Sequence, residues 1–123
     1  MNNHVTKMKE FLEAWRNKDW KNMARACQIT WLSNNNNAEQ ELKDMFGQIN
    51  LLEYNIKKKD ILMTPSKVMA HIPIGLVSHI SKSVKTEHSI GVAVREKNPY
   101  ETSKSGKWGI NPLSILRRRP THG

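Results

Sequence analysis

Up to Phe46 the apolar positions recur every three to four residues, and from Leu52 onward they recur every second residue. The first spacing is that of helices with one buried stripe; the second is that of strands with one buried face. Met8, Phe11, Leu12 and Trp15, with Val5 one step earlier, predict an opening amphipathic helix whose Lys7, Lys9, Glu10, Glu13 and Arg16 face water. Asn17-Lys-Asp19 predicts a tight corner, with Asn17 capping the next helix and Asp19 in its first turn. Trp20, Met23, Ala24, Cys27 and Trp31 form the stripe of that second long helix, and Ser33 to Asn37 stops it. A short third helix follows. Asn37 and Gln40 stand at capping-box positions, Ala38, Leu42, Met45 and Phe46 form its inner side, and Gly47 ends it.

Four strands are expected beyond it. Leu52, Tyr54 and Ile56 are the inward positions of the first, and Val68, Ala70, Ile72, Ile74 and Leu76 those of the second. His88, Ile90, Val92 and Val94 are those of the third, and Lys107 to Asn111 is a short fourth. Thr64 to Lys67, Ser81 to Lys85 and Lys97 to Lys107 separate them, so the strands form an antiparallel meander. Pro73 cannot donate to a ladder and Gly75 weakens one, which predicts a bulge or an edge segment in the second strand. Leu113 to Arg119 predicts one helical turn, and residues 116–123 a frayed basic tail. The whole chain, 1–123, reads as one domain.

Composition narrows the function classes. Hydrophobic residues make up 37% of the 123 positions, and no apolar run approaches the roughly 20 residues of a spanning helix, so a membrane role is not expected. The N-terminus lacks the apolar core of a secretory signal and Cys27 is the single cysteine, so the expected location is cytoplasmic. The net charge of +9 is uneven. Residues 1–50 carry seven Lys/Arg and six Asp/Glu, whereas residues 51–123 carry thirteen and five. A nucleic acid or acidic partner is one explanation of that basic half, and a solvated surface is the simpler one. Lys57-Lys-Lys59 and Arg117-Arg-Arg119 have no interleaved aromatics and no basic helix around them, so nucleic-acid binding is not favoured.

The segment Phe11-Leu-Glu-Ala-Trp15, through Asp19-Trp20 to Met23, followed by a short third helix and a meander, resembles the nuclear transport factor 2-like superfamily. The resemblance implies an α+β fold in which two long helices and one short one pack on a curved antiparallel sheet of about four strands, shaped as a cone. It implies no specific activity. Ketosteroid-isomerase-like members place an acidic base on a strand inside a deep pocket, and other catalytic members use an Asp/His pair. In this chain Glu53, Glu87 and Glu96 are assigned to polar parity or to strand ends, which counts against catalysis. The superfamily also pairs two copies through the outer sheet face, which implies a homodimer with Met69, His71, Val77 and Ala93 outward.

Five residues are pocket candidates: Trp15, Trp31, Tyr54, His88 and Trp108. The tryptophans would either wall a cavity for a small apolar ligand or fill the space between helices and sheet, and filling is the commoner role. In an enzymatic alternative, a small hydrolyase or isomerase, Tyr54 donates a hydrogen bond, His88 acts as acid or base, and Trp108 lines the same pocket. No carboxylate partner for a histidine can be read nearby, and the five histidines show no metal-ligand spacing, so neither metal nor cofactor is expected. The leading expectation is a non-catalytic ligand-binding or assembly module, its pocket lying between the first two helices and the concave sheet.

Overall fold

The computed structural model describes residues 3–116. Its elements in chain order are α1 (His4–Arg16), α2 (Trp20–Arg25), α3 (Ile29–Ser33), α4 (Ala38–Phe46), β1 (Asn50–Ile56), a 3-10 turn at Lys58–Asp60, β2 (Leu62–Met63), β3 (Met69–Ile80), β4 (Ser83–Asn98), β5 (Glu101–Thr102), β6 (Lys107–Asn111) and α5 (Pro112–Leu116). The protein is therefore α+β, with five helices and a six-stranded antiparallel sheet among the described residues. The triple arginine at 117–119 and the rest of the expected tail lie outside them.

The opening helix follows its stripe: Met8, Phe11, Leu12, Ala14 and Trp15 are buried. Asn3 caps it by accepting from the Thr6 amide at 2.8 Å. The corner that follows differs from expectation. Asn17 is the C-cap of α1, Lys18 takes a left-handed backbone angle (φ 54°), and Asp19 itself is the N-cap of α2, accepting from the Asn22 amide. At α4, Asn37 holds the cap position without a side-chain bond, while Gln40 turns to Asp44 at 2.9 Å.

The long second helix does not exist as one piece. It breaks after Arg25, and the chain runs beside β6 instead, with Cys27 in a parallel bridge to Ile110. The Gln28 amide donates to the Ile110 carbonyl at 2.9 Å, and the Ile110 amide donates to the Ala26 carbonyl at 2.8 Å. The helical spacing of Cys27 and Trp31 is real, but the free edge of β6 offers these amides a ladder partner in place of a helical one. Only Gly109 allows so close an approach. A β-carbon there would fall on Gln28 Cα and stand 2.6 Å from its nitrogen and 2.7 Å from the Cys27 carbonyl oxygen.

β3 and β4 are the long central pair, in unbroken register from Met69 opposite Val94 to Ile80 opposite Ser83. β1 and β2 pair with β3, and β5 and β6 pair with β4. Pro73 makes no bulge. Its carbonyl accepts from the Lys57 amide at 3.0 Å, so its missing donor faces the gap between β1 and β2 where no strand needs it. The bulge lies in β1 instead, between Leu51 and Glu53. It buries Leu51, leaves Leu52 outside, and restores Tyr54 and Ile56 to the inner side.

The register also corrects the facing of β4. Residues opposite one another in an antiparallel pair share a face. Ala70, Ile72, Ile74 and Leu76 stand opposite Ala93, Gly91, Ser89 and Glu87, and these point at the helices. His88, Ile90 and Val92 therefore occupy the other face, with Gly75, Pro73 and His71 opposite them. Ala93, expected outward, is fully buried, and Glu87, expected on polar parity, is on the helix side. Met69, His71 and Val77 have the outward parity expected of them.

α1 packs on β1, β4 and β6 from the inner side. Trp15, Phe46 and Phe11 form an edge-to-face run there, with ring centroids 4.8 and 5.8 Å apart. α3 lies elsewhere. Glu96 shares the parity of Val92, and its buried carboxylate accepts from the Thr30 amide at 3.0 Å and from the Thr30 hydroxyl. The break at residues 26–28 thus carries α3 around the β6 edge onto the outer side of Val94 and Glu96. The remainder of that face, from Val92 toward His88, has no helix over it among the described residues.

Two glycines separate space from contact. Gly109→Ala should cost 3 kcal/mol or more, at or beyond the top of the roughly 1–3 kcal/mol range for overpacking, because the obstructing atoms are backbone. Gly91→Ala should cost about 1 kcal/mol, because its new methyl meets the flexible end of Met8. Urea unfolding of both variants measures this, and equal losses would show that the contact at Gln28 yields.

Candidate functional site

The two faces of the sheet differ in what they leave open. Inside, Trp15, Ile49, Leu76, Ser78, Glu87 and Ile115 surround a void of about 20 Å³, room for about one water molecule. Trp15 is 2% exposed and its indole N–H donates to the Ile49 carbonyl at 3.0 Å, so its single polar atom is satisfied within the core. Among the described residues, side chains close the expected space between the first helices and the sheet around Trp15 down to that void. Trp31, on α3, is buried and does not border that void.

The outer face carries a concavity of about 580 Å³, within the size range of small-molecule sites. Pro73, Ile90 and Val92 form its floor, His88 and Lys57 one end, His71 and Asp60 another part of the rim, and Asn111 and Ser114 the side toward α5. The register explains the grouping. One cross-strand row runs Leu62, His71, Val92, Asn111; the next holds Pro73 and Ile90; the next Asn55, Gly75 and His88. Pro73 and Gly75 keep the centre of these rows low, since neither carries a long side chain.

His71 and His88 do not act on one another. Gly75 faces His88 and lies four residues from His71, which separates the two by ~13 Å along the strands. The Lys57 ammonium lies 3.3 Å from His88 Nδ1. An ammonium can only donate, so Nδ1 accepts and the ring proton sits on Nε2. His88 therefore presents an N–H donor. The hydroxyl of Ser89 donates to the Ile115 carbonyl, and that of Ser114 donates to the Asn111 carbonyl while accepting from the Val92 amide, so both are occupied. Among the described residues neither His71 nor His88 hydrogen-bonds a carboxylate, and no group of three or more His, Cys, Asp or Glu could hold a metal ion.

The remaining candidates are dispersed. Tyr54 is half-buried and its hydroxyl donates to Glu13 at 2.7 Å; it borders a smaller hollow with Gly75 and Thr86. Burial, and then the hydrogen bond to the Glu13 carboxylate, raise its phenol above the usual value. Trp108 is buried on the inner side, its ring 5.2 Å from His4 and beneath the Arg95 guanidinium. Burial lowers the His4 imidazole below its usual value and pushes the Cys27 thiol up; that thiol donates to the Met23 carbonyl. Of the five candidates only His88 lines the concavity, and Tyr54, His88 and Trp108 share no cavity. Lys57, Asp60, Pro73 and Asn111 were missed as site residues. Lys57 read as the start of a basic run, and Pro73 as the mark of a bulge.

Among the described residues no helix is long and apolar enough to cross a membrane. No family model, no curated protein and no solved structure matches the chain.

Tyr54→Phe should cost about 1 kcal/mol near neutral pH, the loss of one partly buried hydrogen bond. The raised phenol fixes the sign of its pH dependence. Its stabilisation is complete below the unfolded value of about 10 and is lost as pH rises through the folded value. The stability gap between wild type and variant should narrow above about pH 10. A gap that stays constant across that range would assign the effect to packing.

Proposed function

We propose that this chain is a non-catalytic binding module whose ligand site is the outer-face concavity. One observation carries this reading: an apolar floor of Pro73, Ile90 and Val92, with no helix over it among the described residues, is edged by polar side chains most of which are already hydrogen-bonded. An apolar floor with polar groups at its edge to orient a ligand is what small-molecule sites share. Two histidines far apart and without carboxylate partners bind or orient more readily than they exchange protons. An opening helix, α1, that precedes an antiparallel sheet and packs on its inner side also supports the nuclear transport factor 2-like reading. On that reading the interior closed around Trp15 moves the binding surface from the inside of the cone to the outside of the sheet.

Chemical-shift mapping with a library of small apolar-bodied compounds tests the site. Binders should move the amide signals of Ile90, Val92 and His71 and leave Trp15 and Leu42 still. Binders that map to the helices instead, or a library without binders, would remove the proposal.

A second reading, assembly through the same face, has its own observation. Leu62 is 71% exposed at one end of this face and Val84 is 62% exposed at the other. Apolar side chains so open are suited to a second copy. Light scattering should then show a dimer that Leu62→Glu converts to monomer. A wild-type chain that stays monomeric at the highest concentration reached would rule this assembly out.

A further inference from the structure

We infer that the outer-face concavity takes an amphipathic monocarboxylate, its acid group on the Lys57 ammonium, which His88 holds in place, and its apolar body over Pro73, Ile90 and Val92. The inference rests on the binding-module reading and adds the chemistry of the ligand.

Three observations lead to it. First, the polar end is a donor end. Lys57 donates to His88 Nδ1 at 3.3 Å, which leaves two ammonium hydrogens for a ligand at the edge of the apolar floor. Second, the acceptors that could answer them are occupied or distant. The Ser114 hydroxyl oxygen accepts from the Val92 amide, and no carboxylate forms a salt bridge with Lys57 among the described residues. Third, the two charges on the rim are unequally solvated. Lys57 is half-buried against His88 whereas Asp60 is exposed. A partly desolvated ammonium gains more from a counterion than an exposed carboxylate loses to one, because water screens the latter. Asp60 still opposes a second negative charge, which selects a single carboxylate over a phosphate. The carboxylate accepts from the remaining hydrogens of the ammonium, and such charge-assisted bonds are the stronger kind.

Octanoate, octanol and octyl phosphate share one chain and differ in head group, so they separate the site from the chemistry. In chemical-shift titrations of the full chain, octanoate should move Ile90, Val92 and His88 with a dissociation constant at least tenfold below that of octanol. Lys57→Gln should remove that tenfold difference by weakening octanoate. Lys58→Gln, an exposed neighbour outside the concavity, should leave both unchanged. Equal affinity for octanoate and octanol would overturn the carboxylate assignment and leave the concavity standing. Tighter binding of octyl phosphate would overturn the choice of a single charge. If none of the three moves the outer-face signals, the concavity is not a binding site and both readings fall.

Discussion

The fold turns on two backbone hydrogen bonds, those joining Ala26 and Gln28 to Ile110. They form because Gly109 lets the chain lie against β6, and they carry consequences well beyond their own energy of about 1 kcal/mol each. They end α2 at Arg25 although the apolar stripe continues, and they pair the edge of β6 that would otherwise be open. They also set the direction in which α3 leaves. Its first turn comes to rest over Glu96, where the Thr30 amide and hydroxyl meet a carboxylate that is 2% exposed. A carboxyl group so buried would be costly without these donors. The Tyr100 amide in turn donates to the Thr30 hydroxyl oxygen, so the turn between β4 and β5 is tied to the same point.

The same arrangement divides the outer face. Its Val94–Glu96 end is roofed by α3, and its His71–His88 stretch has no helix over it among the described residues. Without the break, a continuous second helix would stay on the inner side and leave the outer face open along its whole length. With it, one half of the face is core and the other half is a hollow. The inner side has no comparable freedom. Gly91 exists there as room for the end of Met8, and Trp15, Phe46 and Phe11 fill the rest.

How much of this could be read in the sequence depends on which residues speak for themselves. α1 was legible because one stripe of large side chains answers one sheet, and β6 was legible in its full extent, Lys107 to Asn111. β3 was legible because its alternation runs through Ile72, Ile74 and Leu76 without interruption. β4 misled because its larger side chains, Ile90 and Val92, point outward, while Gly91 and Ala93 face the helices. Size and burial are usually correlated; here Gly91 is small because Met8 and Ile115 press against it. The signal that could have corrected it was the hairpin. If Ser81-Lys82 is taken as the whole loop, Ile80 faces Ser83, and the parity of β3 fixes that of β4. The break in the second helix had no such signal, since its partner is a strand more than eighty residues away.

The concavity was illegible for a related reason. Ile90 and Val92 of its floor were assigned to the core, Pro73 beside them to a bulge, and Lys57 on its rim to a solvated basic run. Each assignment took one residue at a time, whereas the hollow is a property of rows across the sheet: short residues at Pro73 and Gly75, flanked by His71 in one row and His88 in another. Pro73 shows the difference most clearly. Taken alone it is a residue that harms a strand; in the sheet its donorless side meets the gap spanned by the turn at Lys58–Asp60, and its ring lies in the floor. That gap is also what brings Lys57 to His88 instead of into a β1–β2 ladder. The ligand-facing chemistry and the one tolerated proline thus have a single cause: β1 ends at Ile56 before β2 begins, and β3 spans the interval alone on that side.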